Sequence, residues 1–180
     1  MLADRALWKK WAGRDTGKAA DWAALPEPPK VKVVLPAADQ APATWRYTTA
    51  KPGDGWFKPG FDCASWRQGQ SGFGTAGTPG ARIGTTWNTD DIWLRREFDV
   101  SACNWHDLQA WLHHDEDAEV YLNGVLALRT AGFVTGYEAW LLSATGKAAL
   151  RPGQNLIAVH CHQTTGGQYI DFGLVDVLAE

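Results

Sequence analysis

The 180-residue chain has no apolar run approaching eighteen residues, so no segment reads as a membrane-spanning helix. It has no basic excess either: the formal net charge is −3, and nothing in its charge pattern would hold nucleic acid or an anionic membrane surface. Cysteine is scarce, with three residues, Cys63, Cys103 and Cys161, widely spaced and odd in number. At most one disulfide can form, and no C-x-x-C pair suggests zinc or a redox dithiol. Cys161 lies in an apolar strand pattern and reads as a small buried hydrophobe. There is no Gly-x-Ser-x-Gly elbow, no phosphate-cradling glycine loop and no His-Glu-x-x-His. The N-terminus, residues 1–13, is interrupted by Asp4, Arg5, Lys9 and Lys10 and does not read as a signal peptide.

What is present in excess is tryptophan. Eleven residues are Trp, and seven of them fall between Trp45 and Trp111. An indole has a large apolar body and one N–H donor, so it serves both in cores and as a platform for sugar rings. The 45% hydrophobic and 21% charged content is that of an ordinary globular chain.

The pattern divides the chain in two. Residues 1–30 read as a helical extension and a proline-rich connector: Leu2, Ala6, Leu7 and Trp11 fall on one helical face, and Pro26, Pro28 and Pro29 end any helix near residue 25. Residues 31–180 read as strands. Short β-rich runs are expected over 31–35, 44–49 and 92–100, and 107–114 alternates with a period of two. The runs 118–122 and 125–129 flank Asn123-Gly124, a strong two-residue hairpin signal. Further strands are expected over 137–142, 154–163 and 168–178. Between them, residues 51–91 hold nine of the nineteen glycines and three of the nine prolines and read as a long loop. Regular short strands with turns between them predict an all-β jelly-roll sandwich.

The order of landmarks also resembles a known family. Gly55-Trp56-Phe57 leads to Phe61-Asp62-Cys63-Ala64-Ser65-Trp66, then to Ile92-Trp93-Leu94-Arg95-Arg96-Glu97-Phe98. Glu119-Val120-Tyr121-Leu122-Asn123-Gly124 comes next, and Leu150-Arg151-Pro152-Gly153-Gln154-Asn155-Leu156-Ile157-Ala158-Val159 closes the series. This resembles the galactose-binding-like β-sandwich that accompanies glycoside hydrolases, especially the sugar-binding domain of glycoside hydrolase family 2. The chain departs from that pattern in its long glycine-rich stretch 69–91 and in Thr135-Gly136-Tyr137, where the family has Gly-Gly-Tyr. The resemblance implies a non-catalytic module, part of a larger secreted or periplasmic enzyme, whose partners are a glycan or polysaccharide and the catalytic domain of the parent chain. It also implies that Trp45, Trp66 and Trp93 are structural, with Asp62 opening a turn and Trp66 plugging the core.

Three functions compete: a carbohydrate-binding module, a structural sandwich that packs on a catalytic domain and lends it a loop, and a small stand-alone lyase or hydrolase. A sugar site needs an aromatic platform beside planar polar groups. Two clusters supply both types: Trp87, Asn88 and Asp90 in one loop, and Tyr137 and Trp140 with Gln168 and Tyr169. These seven are the expected ligand-binding residues. Trp87 has a second reading as an anchor pinning the glycine-rich loop, and Trp111 is the next aromatic in line. No catalytic residue is assigned: the acidic run around Asp115, Glu116 and Asp117 reads as a solvated turn. No metal ligand is assigned. His160 and His162 share a strand face, and with His113 they would make three imidazoles, but hydrogen-bonded strand histidines explain them more simply. No cofactor is expected, apart from a structural calcium ion that the resemblance allows and the acidic loops could hold.

Overall fold

The computed structural model describes residues 30–178. The helix expected over 2–12 and the proline-rich connector lie outside the described residues. The rest is a jelly-roll sandwich of two six-stranded sheets.

Among the described residues twelve strands run in chain order: β1 (Val31–Leu35), β2 (Thr44–Thr48), β3 (Arg67–Gln70), β4 (Phe73–Gly74), β5 (Thr85–Thr86), β6 (Asp91–Val100), β7 (Leu108–Asp115), β8 (Asp117–Leu122), β9 (Val125–Thr130), β10 (Glu138–Leu141), β11 (Gly153–His162) and β12 (Tyr169–Val177). The first sheet is ordered β10-β7-β12-β4-β5. β1 also pairs with β12, beyond the two residues that β4 covers. The second sheet is ordered β3-β2-β6-β11-β8-β9, antiparallel throughout.

Alternation decides which side chains enter the core. Leu108, Ala110 and Leu112 of β7 and Ile170, Phe172 and Leu174 of β12 meet Ile92, Leu94 and Phe98 of β6, Val120 and Leu122 of β8 and Ile157, Val159 and Cys161 of β11; all are buried. Cys161 is a free, buried thiol, as its strand pattern suggested.

The Asn123-Gly124 turn forms as expected. Asn123 sits at φ 48° and Gly124 at φ 87°, the left-handed pair that a two-residue hairpin needs. Val120 and Leu122 are buried while Tyr121 lies on the other face. Asn123 is held there by its side chain, which donates to the Ala149 carbonyl (2.7 Å) and to Asn155 Oδ1 (2.8 Å) and accepts from the Leu156 N–H (2.8 Å).

Two regions differ from expectation. The stretch 51–91 is not wholly loop: β3, β4 and β5 lie in it. Their Gln, Gly and Thr residues carry no apolar alternation, and pairing with neighbouring strands alone makes them strands. A five-residue helix, α1 (Ala144–Ala148), was also unforeseen. It is too short to show a period; Ser143 caps it by accepting from the Gly146 N–H, and a Cβ on Gly146 would lie 2.4 Å from that of Ala127.

Trp45 is buried in the core at 2% exposure, but Trp66 does not plug it. Asp62 does open a turn, accepting from the Ala64 N–H at 2.9 Å. The loop 54–66 lies on the outer face of the second sheet, clasped by Arg46 to the Ala64 carbonyl and by Arg95 to the carbonyls of Trp56 and Lys58. Trp66 is therefore half-buried against Phe61, ring centroids 6.0 Å apart, outside the sandwich. Trp93 is buried on that same outer face, stacked on His160 at 4.8 Å.

Candidate functional site

One end of the sandwich gathers the chemistry-bearing loops. The start of β12, the end of β7, the start of β6 and the end of β11 all terminate there, as their registers require. Gln168 knits the loops together. Its main-chain N–H donates to Thr78 Oγ1 (3.0 Å) and its Nε2 to the Thr89 carbonyl (2.6 Å). Gln163 adds its N–H to the Asp90 carbonyl (2.7 Å) and its Nε2 to that of Gly167 (2.6 Å). The loop 86–91 is thus joined to the loop 163–168.

The aromatic members are buried or half-buried, however. Trp87 is 1% exposed, is part of the core, and spends its indole N–H on Thr89 Oγ1 (2.9 Å). It is a plug, not a platform, because the glycine-rich loop must anchor somewhere and the indole supplies the largest apolar area available. Tyr169 is fully buried and Gln168 nearly so. Tyr137 is half-buried beside Tyr169, their hydroxyls 2.8 Å apart. Trp140 is not at this site at all: it packs against the core from the inner side of β10, with its ring 5.4 Å from that of His114. Only Asn88 and Asp90, of the seven, remain exposed.

Beneath the loop end, on the outer face of the first sheet, lies a buried polar cluster that the sequence pattern had not singled out. Its centre is Asp171, 2% exposed. Oδ2 accepts from the Ala38 N–H (2.6 Å) and the Tyr137 hydroxyl (2.8 Å), and Oδ1 accepts from the Gly72 N–H (3.0 Å). Burial pushes its carboxyl up to about 6, against the pull of those donors. Tyr169 donates to the Arg82 carbonyl (3.1 Å) and so ties the overlying loop to the sheet. Gly72 has φ +84°, and a Cβ there would lie 1.8 Å from the Arg82 carbonyl oxygen, so only glycine allows this closure. Both Tyr137 and Tyr169 are held protonated, first by burial and then by the Asp171 charge.

His113 completes the cluster. It is fully buried, neither ring nitrogen has a hydrogen-bond partner, and its ring lies 4.5 Å from that of Tyr169 and 5.3 Å from that of Tyr137. Burial holds it neutral, down at about 4, with a smaller opposing effect from the Val134 backbone. Trp111 stacks on Tyr137 at 6.1 Å and donates to Asp39 at 3.0 Å. The signal was present in the sequence: alternation from Tyr169 places Asp171 on the same face, and alternation along β7 does the same for Trp111 and His113.

The three histidines do not converge. His160 and His162 lie on the second sheet and both bind Asp91 Oδ1, at 2.8 and 3.0 Å, whereas His113 belongs to the first. These contacts hold the Asp91 carboxyl below its usual value in spite of its partial burial, which acts to raise it. Among the described residues no group of three or more His, Cys, Asp and Glu side chains is arranged to hold a metal ion. A hollow of about 550 Å³ lies beside these histidines and is lined by Asp117, Glu119 and Arg129.

No protein-family model matches the sequence, and no curated protein is detectably similar to it. Solved structures are similar in shape. A glycoside hydrolase family 2 member from Bacteroides cellulosilyticus matches with a TM-score of 0.52 at 17% identity, over 81% of this chain and 20% of that one. A β-glucuronidase from Bacteroides uniformis matches with a TM-score of 0.51 at 19% identity, over 81% of this chain and 18% of that one. The fold is that of a glycoside hydrolase family 2 β-sandwich. At such identities the likeness concerns the fold alone. The chain spans about a fifth of the length of the glycoside hydrolases it resembles.

Proposed function

We propose that this glycoside hydrolase-type sandwich is a non-catalytic accessory domain of a larger, secreted or periplasmic, glycan-acting enzyme. It packs against the catalytic domain and presents its loop end to the glycan held there. One observation carries this choice over a stand-alone carbohydrate-binding module. At the loop end Trp87 and Tyr169 are buried as structural plugs, while Asn88 and Asp90 stay at the surface. The rim can therefore meet sugar hydroxyls, while the aromatics expected as its platform are spent as plugs. Phe133, 64% exposed and bridged to Asp115, is an aromatic left at the surface there, and a rim with so little apolar wall binds weakly alone.

The likeness to glycosidases several times longer supports a catalytic partner. So does the outer face of the first sheet. Val33, Val175, Gln109 and Leu141 form one cross-strand row there by register, and Val33 and Leu141 at its two ends are 44% and 71% exposed. Val175 between them is buried, so these are two separate apolar contact points at the sheet margins, which a docked domain would cover.

The test has two arms. The isolated 180-residue chain, titrated with neutral oligosaccharides, should show no binding at millimolar concentration. In the full-length parent protein, Asn88→Ala with Asp90→Ala should raise KM by roughly tenfold or more, the worth of one or two hydroxyl contacts. Tight binding by the isolated chain that is lost on those substitutions would restore the stand-alone module, and an unchanged KM would remove the loop end from the glycan.

A further inference from the structure

On the opposite side of the molecule, a hollow of about 300 Å³ lies on the outer face of the second sheet, lined by Thr44, Arg46, Cys63, Gln68, Arg95 and Glu97. Arg46 and Arg95 are directly opposite each other on β2 and β6. Like charges in register across a strand pair are destabilising unless something compensates them. Among the described residues no carboxylate lies within ion-pair distance of either guanidinium. Glu97, the acid nearest in the strand pattern, is engaged by Gln154 at 3.1 Å.

Part of this arrangement is structural. Arg95 donates through Nη1 to the Trp56 carbonyl and through Nη1 and Nη2 to that of Lys58 (3.2 Å each), and Arg46 donates through Nη1 to Ala64 (3.3 Å). These bonds clasp the loop 54–66. They leave donors unspent. Arg95 is only 5% exposed, yet its Nε is buried with no partner. A guanidinium so buried, facing neutral carbonyls and the Phe61 ring at 5.5 Å, is a charge without an acidic partner, which folded proteins ordinarily pair with an anion.

We propose that this hollow binds the carboxylate of an acidic sugar, with Arg46 and Arg95 as the anion-binding pair. A guanidinium matches a planar carboxylate through two parallel N–H donors, and it does so better than it matches a point charge. Gln68, Thr44 and Glu97 add the mixed donors and acceptors that sugar hydroxyls require. The choice of a sugar as the bearer of the carboxylate rests on the glycan reading above; the anion site itself does not.

The test is calorimetric and fluorescence titration of the 180-residue chain with trigalacturonate, with neutral galactotriose and with sodium sulfate, at low and high salt. Trigalacturonate should bind where galactotriose does not. Its affinity should fall with salt and by about tenfold or more in Arg46→Gln, the partly exposed member of the pair. An Arg46→Lys variant, which keeps the charge but not the fork, should recover only part of the loss. Equal affinity for the acidic and neutral trisaccharides, or binding unchanged in Arg46→Gln, would overturn the proposal. So would sulfate binding as well as trigalacturonate, which would leave an anion site and remove the sugar. Absence of any anion binding would end this proposal while leaving the loop-end reading of Asn88 and Asp90 intact.

Discussion

Replacing Trp87 with alanine separates a plug from a platform. The indole is 1% exposed and packs in the core cluster. A buried aromatic of this size removes about 150–250 Å² from water, worth roughly 4–6 kcal/mol at 25 cal/mol per Å². Measured large-to-small changes at such positions cost about 3–5 kcal/mol, because the surroundings close part of the cavity. Losing the hydrogen bond to Thr89 adds little, since Thr89 is exposed and water replaces the indole as its partner. For a domain of this size each kcal/mol lowers the melting temperature by about 2–4 °C, so Trp87→Ala should lower it by roughly 6–20 °C. Trp87→Phe, which keeps much of the apolar volume, should lose about half as much. Thermal and urea melts of the 180-residue chain read this directly. A variant that melts with the wild type, yet loses affinity for a glycan, would show the indole at the surface and refute the packing argument.

Two further outcomes concern the buried polar groups. Asp171, raised to about 6 in the folded state, contributes stability that is full below its unfolded value near 3.8 and lost as pH rises through about 6, a swing of about 3 kcal/mol. His113, lowered to about 4, contributes in the opposite sense: its part is full above 6.5 and lost as pH falls toward 4. The two windows overlap and largely offset each other in the wild type, so urea melts across pH 4–8 should show Asp171→Asn weakening more steeply than the wild type as pH falls from about 6 to 4; a profile parallel to that of the wild type would exclude Asp171 as the group responsible. At the hairpin, Asn123→Ala should cost about 2–3 kcal/mol, from its side-chain bonds to Ala149, Asn155 and Leu156 and from its positive φ. Asn123→Gly, which keeps the backbone conformation, should cost less, and equal costs would show that the side-chain bonds alone matter.

Much of this domain is dictated locally and was legible in order along the chain. Period-two alternation marks β8 and the first part of β7, where one face is buried, whereas β11 and β12 are buried on both faces over most of their length and read as apolar runs; Asn123-Gly124 marks its turn because only such residues accept positive φ without cost. The landmarks from Phe61 to Asn155 led to the sandwich that the solved structures share. What the chain does not encode locally is which side of the sandwich an aromatic in a loop will enter. Trp66 and Trp87 sit in similar glycine-rich surroundings. Yet the loop of Trp66 is clasped onto an outer face by Arg46 and Arg95, while that of Trp87 is drawn inward by pairing with Gly74. Burial there is a contest among distant contacts, and no window of sequence contains all the contestants. The same holds for polar groups. Asn88 and Asp90 were readable as loop residues, and the structure leaves them exposed. The cluster of Asp171, Tyr137, Tyr169 and His113 draws on β7, β12 and the loops after β1 and before β4 and β10. The register of Arg46 against Arg95 likewise exists only once β2 has paired with β6, because a charge's cost depends on what tertiary structure places beside it.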